Sequence, residues 1–192
     1  MWPTMSPVID EIKNRRAYRS LEPIEITPEI VEPLSQAVRL SPSCFNNQPW
    51  HFIFTYEKEK LHQLFDALSK GNIWATYASM IIAVCAKKDD DCVIYDREYY
   101  LFDLGLATSS LILQATSMNL VAHPIAGYSP KKAREILNIP EEYNVITLII
   151  VGKHNENIPD YLSEKQVEAE KKRPERKPLE TFIHHNIFGD KE

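Results

Sequence analysis

Apolar residues recur along this chain in two ways, at helical spacing within polar segments and as short unbroken runs. Ser6-Pro7 reads as an N-cap and first helical residue, with Val8, Ile9 and Ile12 as the stripe of a short helix. Thr27-Pro28-Glu29 opens a second helix, with Ile30, Leu34, Ala37 and Val38 on one face. Pro33 lacks the N–H that would pair with the Glu29 carbonyl, which predicts a bent or late-starting helix. His51–Tyr56 is a predicted strand, and Glu57–Leu68 a helix with Leu61, Leu64, Phe65 and Leu68 inward. Past a loop at Gly71–Trp74, the β-branched run Met80–Cys85 marks Ser79–Ala86 as a strand buried on both faces.

The longest helical pattern is Tyr95–Asn119. It is apolar nearly all round, which places it centrally or between subunits, with Asn119 as a left-handed cap. Leu120–Gly127 is a short extended run ending in a Gly where backbone can approach a ligand closely. Ser129-Pro130 caps another short helix with Ile136 and Leu137 inward, and Val145–Val151 is a second apolar strand, closed by Gly152. Glu164–Lys177, with six Lys or Arg against four Glu, reads as a linker or an exposed helix. Apolar side chains then return at Leu179, Phe182, Ile183, Ile187 and Phe188, so the tail is expected to dock, conceivably on a partner subunit.

Composition narrows the function classes. With 192 residues and 44% apolar content, the chain has room for one substantial core, a single domain over 1–192. A net charge of -5 and a pI of 5.7 argue against nucleic acid as a general partner. No stretch reaches the ~20 apolar residues of a membrane span, and the N-terminus lacks a signal-peptide pattern. Cys44, Cys85 and Cys92 are odd in number and without metal-type spacing, so no disulfide framework is expected and a reducing cytoplasm fits best. Asp89-Asp90-Asp91 reads as a solvated acidic end to the preceding strand, not as a metal site. The five glycines are too dispersed for a dinucleotide or Walker loop, so a phosphorylated cofactor would have to be held by cationic side chains.

Two segments carry candidate chemistry. Asn14-Arg15-Arg16-Ala17-Tyr18-Arg19 concentrates three guanidiniums at a helix exit, either a solvated basic turn or a phosphate clamp. Ser41-Pro42-Ser43-Cys44-Phe45-Asn46-Asn47-Gln48-Pro49-Trp50 is a loop that its prolines enforce. It carries short hydrogen-bonding side chains suited to the edge of a flat heterocycle. No Ser-His-Asp or Cys-His constellation stands out, Cys44 reads as packing, and His51 and His123 as structural. His184-His185 lack the spaced companions of a metal site.

These two segments, the Pro124-Ile125-Ala126-Gly127 turn and Arg176-Lys177-Pro178-Leu179 occur in the order found in the FMN-dependent nitroreductase family, which the chain resembles over nearly its whole length. The resemblance implies an α+β fold, a three-layer α/β/α sandwich with a mostly antiparallel central sheet. It also implies an intertwined homodimer in which residues 153–192 embrace the neighbour. Arg15 and Arg16, beside Ala17 where the family often has Ser, would hold the FMN phosphate together with Arg176. Arg19 would sit at the pyrimidine edge of the flavin as electrostatic support. Ser43, Cys44, Phe45, Asn46 and Gln48 would line the ring from the other subunit, and Asn72 would meet its pyrimidine or ribityl side. Pro124 and Ile125 would lead to the Ala126 and Gly127 amides, facing N5. The implied activity is ping-pong reduction of a nitroaromatic, quinone or similar electrophile by NADH or NADPH, with no side chain catalytic in its own right and no metal. One rival is a flavin-storage or redox-sensing protein with poor turnover. Another is an interaction domain whose arginines merely answer acids such as Glu22 and Glu25.

Overall fold

The structure, a computed structural model, describes residues 8–189; the Ser6-Pro7 helix start lies outside them. Along the chain run α1 (Asp10–Asn14), β1 (Leu21–Glu22), α2 (Pro28–Arg39), β2 (Trp50–Thr55), α3 (Lys58–Phe65) and β3 (Met80–Ala86). Then come β4 (Val93–Ile94), β5 (Arg97–Glu98), α4 (Tyr100–Ser117), β6 (Leu120–Ile125), α5 (Pro130–Leu137), β7 (Asn144–His154) and α6 (Glu164–Lys171).

β7 is the spine of a five-stranded sheet. It pairs with β3 from Asn144 to Val151, with β6 from Leu148 to Lys153, and with β1 at Lys153 and His154, while β2 pairs with β3. Every one of these pairings is antiparallel. Side chains alternate across a strand, so β3 and β7 feed a core on each face. Ile81, Ala83, Leu148 and Ile150 pack with Leu61 and Leu64 of α3, Trp74 and Ala133 of α5. Met80, Ile82, Val84, Ile149 and Val151 pack with Leu34 and Val38 of α2 and with Leu104, Ala107, Leu111 and Ala115 of α4. Helices therefore cover both faces of the sheet, giving three layers. Each fully buried Ile or Val stabilises this arrangement by about 1.5–3 kcal/mol relative to exposure, which explains why both predicted apolar runs become inner strands.

Several boundaries differ from expectation. The longest helix starts at Tyr100 rather than Tyr95, because Tyr95, at φ 59°, turns the β4–β5 hairpin. Its other end agrees, with Asn119 left-handed at φ 57°. Gly152 does not close β7, which runs on to His154 and there meets β1. α2 begins at Pro28 despite Pro33, since the Ile30 and Val31 amides bond the Thr27 carbonyl and start the helix one turn earlier. α3 stops at Phe65, and Leu68 instead bridges to Tyr128. Residues Lys70–Tyr77 form 3-10 turns where a plain loop was expected. Within Glu164–Lys177 lies α6, opened by a Ser163–Gln166 capping box, and its Glu170 is buried. Val8, Ile9 and Ile12, and Leu179, Phe182, Ile183, Ile187 and Phe188 of the tail, stay exposed on the single chain.

Asp91 is buried instead of solvated, and Cys44 and Cys92 are joined as a disulfide that composition argued against. Forty-eight residues separate them in sequence, but the turn at Cys44 and the strand end at Cys92 meet at a Cα separation of 6.3 Å, within ordinary disulfide range. The anchor is Asp103 of α4, whose carboxylate accepts the Cys44 N–H at 2.6 Å.

Candidate functional site

The arginine segment leaves the end of α1 and is gripped by the tail. The Arg173 guanidinium donates to the Lys13 carbonyl at 2.6 Å and to that of Arg15. Arg16 donates to the Ala169 and Glu170 carbonyls at 2.7 and 3.3 Å, and its guanidinium lies 4.8 Å over the Tyr18 ring. Buried Glu170 in turn accepts the Arg19 N–H at 2.7 Å. α6 thus holds the segment through three hydrogen bonds, and the basic run after it brings Arg173 and Arg176 toward Arg15. Burial, followed by the charges of Arg173, Arg176 and Arg16, lowers the pKa of Arg15 below the ordinary guanidinium value. Arg173 escaped the sequence reading; its signal was its place three residues before Arg176 in one basic run.

The Glu170 carboxylate meets this segment at the Arg19 N–H. Among the described residues, none of Arg15, Arg16, Arg19, Arg173 and Arg176 is in an ion pair, and Glu22 binds Lys153 instead. Guanidiniums gathered outside any such ion pair are a donor set suited to an anion. Two hollows flank it. One, of about 520 Å³, is lined by Ile12, Arg15, Leu104, Thr108, Pro124 and Thr147. The other, of about 590 Å³, lies between Arg19 and α6, with Gln166, Lys172 and Arg173 but also Glu168 and Glu175 on its walls.

The first hollow is bordered by Pro124 of β6. Beyond Ile125, which is buried, the backbone turns out at Ala126 and Gly127, and among the described residues neither N–H donates a hydrogen bond. This turn is fastened from behind. The Gly127 carbonyl accepts from the Ser69 N–H at 3.0 Å and from Asn72 Nδ2 at 2.9 Å, and Asn72 Oδ1 accepts from Trp74 Nε1 at 3.1 Å. Asn72, expected at a cofactor edge, therefore has both arms engaged within the chain. A Cβ at Gly127 would lie 2.5 Å from Asn72 Nδ2 and 2.7 Å from Ser69 Oγ, so any larger residue here must displace one or both of these side chains.

His123, one residue before Pro124, is structural as expected. Its ring stacks on Trp74 at 4.8 Å, and Nδ1 lies 3.0 Å from the Tyr18 carbonyl, which can only accept, so the neutral ring carries its proton there. Burial pushes its pKa down to about 4; the Tyr18 hydrogen bond opposes the shift, and Arg19 and Arg15 add to it. The Arg19 guanidinium lies 5.8 Å from the centre of the Trp74 ring. His123, Trp74, Asn72 and Gly127 thus form one packed unit beneath the turn.

The Ser43–Gln48 loop is strained. Phe45, Asn46 and Gln48 have φ of 48°, 60° and 50°, a conformation unfavourable for side chains with a Cβ. Ser43 Oγ accepts the Gln48 N–H at 3.0 Å, Gln48 Nε2 donates to the Asn46 carbonyl, and Phe45 is held out 84% exposed. Asp103 and Ser110 of α4 support the loop from below through Cys44 and Ser41. The first hollow lies against Leu101, Gly105, Thr108 and Ile112 of the same helix. At about 100° per residue these two sets occupy roughly opposite faces of α4. One chain accordingly brings Arg15, Pro124, Ala126, Gly127, Arg173 and Arg176 to one side, and Ser43, Phe45, Asn46 and Gln48 to another.

Comparison with known proteins finds relatives in both sequence and fold. The sequence model of the Nitroreductase family matches residues 12–153. A protein of Archaeoglobus fulgidus, provisionally named an NADH dehydrogenase/NAD(P)H nitroreductase, is 30% identical over 152 residues, covering 77% of this chain and 86% of its own. Among solved structures, an oxidoreductase containing FMN superposes with a TM-score of 0.83 at 24% identity, covering 98% of this chain and 96% of that one. An FMN-dependent nitroreductase from Clostridium difficile R20291 superposes with a TM-score of 0.72 at 25% identity, covering 94% and 100%.

Proposed function

The chain belongs to the nitroreductase family, and on that premise we propose that it is an FMN-dependent NAD(P)H oxidoreductase that works as a homodimer and reduces a small electrophile such as a nitroaromatic or quinone. The observation that carries this reading is the cluster of Arg15, Arg173 and Arg176, none of them in an ion pair among the described residues, and the apolar hollow that runs from Arg15 to Pro124. That donor set suits a phosphate joined to a flat, partly apolar ring system.

When bound, FMN supplies hydride acceptance and donation at its N5. The protein's part is to bind and polarise. Arg15, Arg173 and Arg176 hold the phosphate, while Arg16, committed to the α6 carbonyls, keeps the tail in place. Arg19 supplies a fixed cation at the pyrimidine edge, favouring the negative charge that two-electron reduction places there. The Ala126 and Gly127 amides point donors at the reacting edge, held steady by Asn72 and Ser69. Ser43, Phe45, Asn46 and Gln48 of a second copy close the other side, which accounts for a strained, exposed loop remote from the arginines of its own chain. The donor leaves before the acceptor enters the same space, so no side-chain nucleophile is needed.

The test is the visible spectrum of the purified protein, followed by anaerobic addition of NADH and then NADPH. A flavin spectrum that bleaches rapidly supports the proposal. A flavin that persists points to storage or sensing, and failure to take up FMN even in excess refutes the cofactor assignment.

A further inference from the structure

Beneath the strained loop, on the far side of α4 from the arginines, two sulfurs and two carboxyls meet. Cys44 Sγ, Cys92 Sγ and a carboxylate oxygen of Asp91 all lie within 4.8 Å of one another. Asp91 is only 9% exposed. Its Oδ1 accepts from the Cys92 N–H at 2.8 Å and from Asn47 Nδ2 at 3.2 Å, but its Oδ2 is buried with no hydrogen-bond partner. Behind it stands Asp103, 2% exposed, whose carboxyl touches that of Asp91 and holds the Cys44 N–H. Among the described residues no Lys, Arg or His pairs with either acid. Asp91 thus faces a second acid and a neutral disulfide, with no cation paired to either carboxyl.

We propose that, once the Cys44–Cys92 disulfide is reduced, Cys44, Cys92 and Asp91 bind a divalent cation of the zinc type. Two thiolates and a carboxylate form a donor set that zinc accepts, with one tetrahedral position left for water or for the Asp103 carboxyl. Zinc–sulfur bonds of ~2.3 Å would set the sulfurs roughly 3.8 Å apart. Side-chain rotation reaches that separation from a Cα spacing of 6.3 Å. The step balances through an added phosphine and one water: the phosphine gives two electrons to the S–S bond and takes the water's oxygen to become its oxide, and the water's two protons complete the two thiols. Each thiol then releases a proton as its thiolate binds the cation, and zinc itself changes no oxidation state. The disulfide and the metal dithiolate are exclusive states of one cluster, and either one pins the loop of Phe45 and Asn46 to the β4–β5 hairpin.

The test uses the full chain, with whatever cofactor it retains, reduced anaerobically with the phosphine, freed of it and titrated with cobalt(II). Cobalt d–d absorption is read in the red, clear of any flavin, and zinc is then added to displace it. The expected result is one tetrahedral cobalt per chain, with thiolate charge-transfer absorption. It should be lost in Cys92→Ser, weakened tenfold or more in Asp91→Asn and unchanged in Cys85→Ser. The unmutated chain with its disulfide closed should bind none, a control that needs no substitution. Absence of the band in the reduced wild-type chain, its survival in Cys92→Ser, or equal binding by the oxidised chain overturns the proposal.

Discussion

Replacing Gly127 by Ala tests whether the turn beside the arginines is held as rigidly as its contacts imply. The new Cβ would stand 2.7 Å from Ser69 Oγ and 2.5 Å from Asn72 Nδ2. The first clash is cheap, because Ser69 Oγ makes no hydrogen bond among the described residues and can rotate away. The second is not. Asn72 can yield only by surrendering its bond to the Gly127 carbonyl, and its other arm then leaves Trp74 Nε1, on a buried ring, without an acceptor. One net hydrogen bond at about 1 kcal/mol plus an orphaned buried donor at about 1–3 kcal/mol gives an expected loss of roughly 2–4 kcal/mol. Urea denaturation of both proteins, compared at equal slope, measures it. The double variant Gly127→Ala with Asn72→Ala should regain part of what the single Gly127 change adds, since the obstructing arm is gone. A loss below about 0.5 kcal/mol, or strictly additive effects, would show that the Asn72 bracket does not hold the turn.

Three further outcomes follow from the same unit and its neighbours. Arg15→Ala should weaken FMN retention about 10–100-fold, the worth of a charge-assisted contact of roughly 1.5–3 kcal/mol. Arg19→Ala should keep most of that affinity and slow flavin reduction, so equal loss of flavin in both variants would contradict the division of roles. His123, with a folded pKa lowered to about 4, is neutral when folded but takes up a proton when unfolded below pH 6.5. Its stabilising contribution is therefore complete above pH 6.5 and shrinks as the pH falls toward 4, by about 2 kcal/mol between pH 7 and pH 5. Denaturation at those two pH values should show the drop, and His123→Asn should flatten it; an unchanged slope would place the titrating group elsewhere.

Strongly periodic or fully apolar segments were legible because burial alone decides them. Met80–Ala86 needs no partner to be named before it reads as an inner strand, and α2 and α5 announce themselves by caps and stripes. Errors gathered where a polar or turn residue answers to something distant. Tyr95 belongs to a hairpin because its backbone is left-handed, a state that no apolar pattern encodes. Glu170, in a segment that looked fully solvated, is buried because the Arg19 N–H and the Arg16 guanidinium meet the end of α6. Asp91 sits among acids that read as a solvated turn, yet it is enclosed beside Cys44 and Cys92.

The order of the chain's motifs, through the family they resemble, implied the layered class, while composition and local pattern were enough for the loop at Ser41–Trp50, the cationic segment and the exclusion of glycine-loop phosphate binding, since each of these depends on residues close in sequence. Folding decided the rest. It recruited Arg173 to Arg15, turned Asn72 inward to brace Gly127, joined Cys44 to Cys92 across forty-eight residues, and set the loop and the arginines on opposite faces of α4. Such contacts depend on where strand pairing and helix packing carry distant side chains, and spacing along the chain contains no measure of that distance.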